Sequence, residues 1–192
     1  MSLTVVASAL APLRAFIDDF DALIARNDDE ATLLAEGGKL LKRLIARDDW
    51  LPDSHAAPDP VHYRQYLLHR DPAARYSVVS FVWGPGQATP IHDHTVWGLV
   101  GVLRGAEIAE RFALEEGLRP LGADHLACGM IDAVSPRVGD VHRVRNAFDD
   151  RVSISVHVYG ADIGAVRRHT YDASARPKAF ISGYADAPVL NF

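Results

Sequence analysis

Cysteine is nearly absent: Cys128 is the only one in 192 residues, so no intrachain disulfide can form. Long apolar runs are missing as well. None approaches the roughly 20 residues needed to span a bilayer, and no membrane partner is expected. The segment up to Phe16 has no basic residue ahead of its short apolar stretch. A signal peptide needs that charge, so these residues are expected to belong to the folded protein. Nor is positive charge in excess. The chain has 20 Lys and Arg against 25 Asp and Glu, a net charge of −5. A general nucleic-acid binder needs basic surface to neutralise phosphates, so no nucleic-acid partner is expected, although a local basic pocket stays open. There is no internal repeat and no low-complexity segment. These absences together lead us to expect a cytoplasmic protein, and they carry no signal of oligomeric state.

What the chain does have is material for a core. Apolar residues make up 48% and charged residues 23%, the balance of a globular protein, and the length suits one domain spanning 1–192. Leu13, Phe16, Ile17, Phe20, Leu23 and Ile24 recur at three- and four-residue steps, the period of one helix face. Asn27 offers an N-cap for a second helix, with Glu30 as its capping-box partner. Leu33, Leu34, Leu40, Leu41, Leu44 and Ile45 would form that helix's apolar face, weakened or split at Gly37-Gly38. Residues 1–50 are thus expected to be a helical segment covering a sheet.

From about residue 60 the pattern becomes β. Tyr76–Trp83, Val96–Leu103, Glu107–Phe112, Arg137–Val144 and Val152–Tyr159 are short runs rich in β-branched and aromatic residues. Gly, Pro and Asp separate them. Such spacing suggests an all-β sandwich or barrel over residues 60–172. The last residues, 173–192, mix turn formers with Phe180, Tyr184 and Phe192 and read as an ordered tail on the barrel.

Of the nine histidines, His55, His62, His69, His125 and His169 have no spacing that implies chemistry. His92 and His94 do. On a strand, residues two apart point to the same face, so both imidazoles could reach one metal. Gly86 precedes the pair, and Gly98 and Gly105 follow it. Farther on come Pro136, Gly139, Asp140, His142 and Asn146. These two segments resemble the two motifs of the cupin superfamily, the second with one extra residue after the proline. The resemblance implies a double-stranded β-helix or jelly-roll barrel with His92, His94 and His142 as metal ligands. Most cupins have a glutamate ligand where this chain has Gly98, so the implied site is three neutral histidines. Imidazole suits iron, zinc, copper and nickel, and a set lacking carboxylate is poor for manganese and magnesium.

On Val152–Tyr159, Val152, Ile154, Val156 and Val158 share one face, and Ser153, Ser155, His157 and Tyr159 the other. Alternation alone fits a strand with one core face and one solvent face. If the polar face instead lines the barrel, Ser155, His157 and Tyr159 can form a hydrogen-bonded chain. Here the sequence resembles the cysteine dioxygenase family of thiol dioxygenases, in which a Ser-His-Tyr relay lies beside a three-histidine ferrous site. The likeness covers roughly residues 60–172 and includes Ile91-His92-Asp93-His94-Thr95. It implies one Fe(II) per chain, O2 as co-substrate, and transfer of both oxygen atoms to the sulfur of a small thiol, giving the sulfinic acid.

Two departures narrow this expectation. Animal members crosslink the relay tyrosine to a cysteine after the first motif, whereas Val96-Trp97-Gly98-Leu99 has none, so no Cys-Tyr crosslink is expected. Cysteine-specific members also carry an arginine where Tyr63-Arg64-Gln65 places Gln65. That glutamine resembles the bacterial branch acting on 3-mercaptopropionate, with Arg168 as the implied carboxylate partner and Arg64 and Arg167 as competitors. Trp83 and Trp97 could exclude water or simply pack. Two other functions remain open. A three-histidine cupin could open a diketone or flavonoid, or act as a zinc or nickel hydrolase or isomerase. It could also be a non-catalytic ligand-binding domain, although retention of all three histidines and the relay argues against both.

Overall fold

A computed structural model describes residues 9–26, 29–115 and 117–190. The helical periodicity becomes helix α1 (Ala11–Arg26) and helix α2 (Glu30–Leu44). Leu13, Phe16, Ile17, Phe20 and Leu23 of α1 are buried, as are Leu33, Gly37, Leu41 and Leu44 of α2. The N-cap expected at Asn27 falls outside the described residues. Asp29 caps α2 instead, its carboxylate accepting the Thr32 N–H at 2.9 Å, the usual way to satisfy a free first-turn donor. Glu30 accepts from the Ser135 hydroxyl at 2.6 Å. Gly37-Gly38 does not split the helix. A Cβ at Gly37 would lie 2.9 Å from the Phe20 ring and 3.0 Å from Leu99, so the glycine lets α2 approach both α1 and the sheet.

Among the described residues eleven strands follow: β1 (Arg64–Arg70), β2 (Ser77–Trp83), β3 (Ile91–His92), β4 (Gly98–Arg104), β5 (Ala106–Leu114), β6 (Leu118–Ala127), β7 (Ile131–Val134), β8 (His142–Asn146), β9 (Ser153–Tyr159), β10 (Arg168–Tyr171) and β11 (Pro177–Phe180). They form a five-stranded sheet in the order β1-β2-β9-β4-β7 and a six-stranded sheet in the order β11-β10-β3-β8-β5-β6. All the strand pairs are antiparallel. This is the expected cupin double-stranded β-helix. The strand expected over Arg137–Val144 begins only at His142, because Ser135–Gly139 closes a tight turn with backbone bonds of 2.8 and 3.1 Å. The tail is more than an appendage: β11 extends the second sheet, and Ala185 N–H bonds the Gln65 carbonyl at 2.8 Å.

Among the described residues the core falls into three clusters. Ile154, Val156 and Val158 of β9, with Val78 and Val82 of β2 and Leu99 and Leu103 of β4, pack outward against the helices. Full burial of each such side chain stabilises by roughly 1.5–3 kcal/mol. Because the helices cover that face, the opposite face of β9 turns into the barrel, and all seven of its residues are buried. The solvent-face reading of Ser153, Ser155, His157 and Tyr159 is therefore excluded.

Candidate metal centre and its pocket

One nitrogen each from His92, His94 and His142 comes together within 4.8 Å of the others, and all three side chains are buried. His92 and His142 are register partners across β3 and β8. His94 reaches the cluster differently from the i, i+2 strand geometry expected. Strand β3 ends at His92, and the chain turns at Thr95, whose φ of 61° is left-handed, a conformation that costs a non-glycine residue about 1–3 kcal/mol. Asp140 offsets this strain: its Oδ1 accepts from His94 N at 2.8 Å and Nδ1 at 2.9 Å, and its Oδ2 from Thr95 N at 3.0 Å. The pair His94–Asp140 thus joins the two sequence motifs. Asp93 points away, accepting from His169 N at 2.7 Å and the Tyr171 hydroxyl at 2.7 Å.

The donor chemistry fits a metal. Pro90 O, 3.0 Å from Nδ1 of His92, and Asp140, on Nδ1 of His94, leave Nε2 free on both rings, the partner arrangement that orients metal-binding imidazoles. Burial, then the neighbouring His94, lowers the His92 pKa to about 3. His142 is pushed well below its ordinary value by burial and by both other histidines. Rings that stay neutral keep their lone pairs available. For Asp140 burial is the largest influence and acts upward, but the bonds and charge of His94 and the Thr95 N–H together outweigh it, and the carboxyl stays below its usual range.

Beside the cluster, Ser155 Oγ lies 2.7 Å from His157 Nε2, and His157 Nδ1 lies 2.7 Å from the Tyr159 hydroxyl. The His157 ring stacks on Phe81 with centroids 4.1 Å apart, and Tyr159 stacks on His94 at 5.5 Å. Burial keeps His157 neutral and raises the Tyr159 pKa. Trp83 has a partner that sequence reasoning missed: its indole donates to Ser155 Oγ at 3.3 Å. Trp97 packs in the helix-side core.

A cavity of about 330 Å³ opens onto His92 and is lined by Tyr63, Gln65, Phe81, Arg168, Lys178 and Phe180, among others. Arg168 is only 3% exposed. Its guanidinium lies 4.7 Å from the Phe180 ring centroid and donates to the Ser182 hydroxyl at 2.7 Å, while Nε has no partner among the described residues. Burial lowers its pKa. The two competitors differ. Arg64 is paired with Asp59, and Arg167 is exposed. Gln65 gives one amide N–H to Gly183 O at 2.6 Å, which pins the tail and leaves Oε1 as its acceptor. Ser182, Phe180 and Lys178 escaped the sequence reading because the tail has no motif. The only signal was its aromatic content.

Gly98 lies directly against Tyr159. A Cβ there would be 2.8 Å from the Tyr159 ring. Cys128 bonds the Leu103 carbonyl at 3.2 Å at the far end of β4. The intact mass of the purified protein is therefore expected to equal the sequence mass, with no loss of two hydrogens. A Cys128–Tyr159 thioether in a peptide map would contradict both placements.

The barrel and its three inward imidazoles define a cupin with a three-histidine metal-binding site. The family described as "Cysteine dioxygenase type I" matches residues 1–173, and the chain belongs to that family. Among solved structures, an uncharacterized conserved protein with a double-stranded beta-helix domain from Klebsiella pneumoniae is similar at 18% identity. That match covers 69% of this chain and 97% of that one, with a TM-score of 0.47. The Rhodospirillum rubrum cupin-2 domain Rru_A2000 matches at 13% identity over 62% and 74% of the two chains, also with a TM-score of 0.47. TT1209 from Thermus thermophilus matches at 21% identity over 57% and 92%, with a TM-score of 0.45.

Proposed function

We propose that the protein is an iron(II)-dependent thiol dioxygenase whose substrate is a small thiol carboxylate, 3-mercaptopropionate in preference to L-cysteine. The observation that carries the substrate class is Arg168. A buried guanidinium without a carboxylate partner is costly, and it lines the same small cavity as His92. An incoming carboxylate would relieve that cost while its thiol lies at the histidine cluster. His92, His94 and His142 would hold the ferrous ion, which when bound supplies thiolate binding and O2 activation for oxygenation at sulfur.

The protein's own residues do the rest. Arg168, held by Ser182 and Phe180, binds and orients the carboxylate. Tyr63 and Phe81 wall the pocket and exclude water. Tyr159, positioned by His157 and Ser155, presents its hydroxyl to the reacting atoms. The preference over cysteine follows from charge: among the described residues the lining includes Arg168 and Lys178 and no acidic residue. An ammonium group finds two cations and no counter-ion there, and Gln65 adds at most one neutral acceptor.

Oxygen uptake by the iron-loaded protein with 3-mercaptopropionate, L-cysteine and cysteamine in parallel tests this. We expect kcat/KM for 3-mercaptopropionate to exceed that for cysteine by roughly tenfold or more, the effect of about 1.4 kcal/mol. A tenfold preference for cysteine would overturn the substrate assignment and leave a cysteine dioxygenase.

A further inference from the structure

Glu107 is a fully buried acid with no part in the proposed function so far. It lies on β5 inside the barrel, 0% exposed, and neither carboxyl oxygen completes a hydrogen bond among the described residues. Its register partners are Leu126 on β6 and Asn146 on β8. Asn146 is not available to it: its amide N–H groups go to the carbonyls of Trp83, Gly84 and Arg151, and its oxygen accepts from Ser153 and Phe148 N. Strand β5 meets the polar face of β9 here, where Ser153 Oγ accepts from Ala106 N at 3.1 Å and donates to Ala106 O at 3.0 Å, and the polar groups that influence Glu107 are Ser155 on β9 and Trp83 on β2, themselves 3.3 Å apart. The charged group facing it is Asp132 on β7, of like sign, and the titratable side chains of the relay are His157 and Tyr159 on β9. No cation among these groups balances a carboxylate.

Donor chemistry sets the direction of the relay. Trp83 Nε1–H can only donate, so Ser155 Oγ accepts from it. Glu107 makes no such bond as placed, but as the neutral acid its carboxyl can turn to donate to Ser155 as well. The Ser155 proton then goes to His157 Nε2, His157 Nδ1–H goes to the Tyr159 oxygen, and the Tyr159 proton points into the pocket. If Glu107 is ionised, Ser155 turns its proton to the carboxylate. His157 then carries its proton on Nε2 and donates to Ser155, and Tyr159 donates to Nδ1. The proton count closes: one proton leaves Glu107, and three hydrogen bonds reverse.

We propose that Glu107 is a positioning residue whose carboxylic acid, through Ser155, holds the Ser155–His157–Tyr159 chain with Tyr159 as a donor toward the substrate, and that loss of its proton reverses the chain. The catalytic consequence rests on the dioxygenase reading, but the polarity of the chain can be measured without turnover. Burial, the largest influence, raises the Glu107 pKa to about 7, with the bonds from Ser155 and Trp83 acting downward and Asp132 upward. Since this value is above the ordinary carboxylate range, the donor state prevails below it and is lost as pH rises through it.

The test uses the full-length chain loaded with diamagnetic zinc and labelled with 15N-histidine, followed by NMR from acid to alkaline pH. The expected result is the Nδ1–H tautomer of His157 below a midpoint near 7 and the Nε2–H tautomer above it. Glu107→Gln, whose amide still donates to Ser155, should stay in the Nδ1–H form throughout. In the iron-loaded enzyme the matching high-pH loss of kcat should disappear in Glu107→Gln. A single His157 tautomer at every pH in the wild type, or the same transition in Glu107→Gln, would overturn the proposal. If the variant fails to fold, the 13C-labelled Glu107 carboxyl decides in the wild type. A midpoint shared with the His157 transition supports the proposal, and one in the ordinary carboxylate range overturns it.

Discussion

His142→Ala is expected to strip most of the iron from the purified protein and to abolish oxygen uptake with every thiol. The three nitrogens lie within 4.8 Å of one another, so removal of one leaves a two-coordinate remnant. His142 is 3% exposed and its Nδ1 has no protein partner, so its loss breaks no structural hydrogen bond at that atom. The fold should survive, with circular dichroism near wild type. Asp140→Asn is the graded companion. It weakens the acceptor that fixes His94 N, His94 Nδ1 and Thr95 N, and metal affinity should fall by roughly 10–100-fold, the usual cost of losing such a support. Full iron occupancy in His142→Ala would show that the ligand set has been misassigned.

The second large effect is expected at Arg168. A charge-assisted, bidentate guanidinium–carboxylate contact contributes about 1.5–3 kcal/mol, so Arg168→Ala should raise KM for 3-mercaptopropionate and cysteine by roughly 10–100-fold. Cysteamine, which has no carboxylate, should be spared. Ser182→Ala should give a smaller change in the same direction, because it removes only the bond at 2.7 Å that holds the guanidinium. Equal losses for cysteamine and the two acids would mean that Arg168 shapes the pocket rather than binding the carboxylate.

Much of this was legible in the sequence, for identifiable reasons. The α1 and α2 periodicity reports burial, and Leu13, Phe20, Leu41 and Leu44 are buried as it implies. His92, His94 and His142 were readable because two local motifs fix them, and the β9 alternation placed Ser155, His157 and Tyr159 on one face. Alternation could not say which face was wet; the covering helices decide that. The His94 geometry was misjudged because Thr95 breaks the strand, and only Asp140, 46 residues away in sequence, makes that turn tolerable. Non-local partners of this kind carry no periodic signal. The same holds for Glu107, read only as part of a strand, and for Phe180 and Ser182, which meet Arg168 through the pairing of β10 with β11.

The most direct test of the central claim is a turnover of the iron-loaded protein with 3-mercaptopropionate under 18O2, with oxygen uptake and product mass measured together. The account predicts one O2 consumed per thiol and a sulfinate product carrying two 18O atoms. Disulfide as the main product, or a sulfinate with only one labelled oxygen, would contradict it.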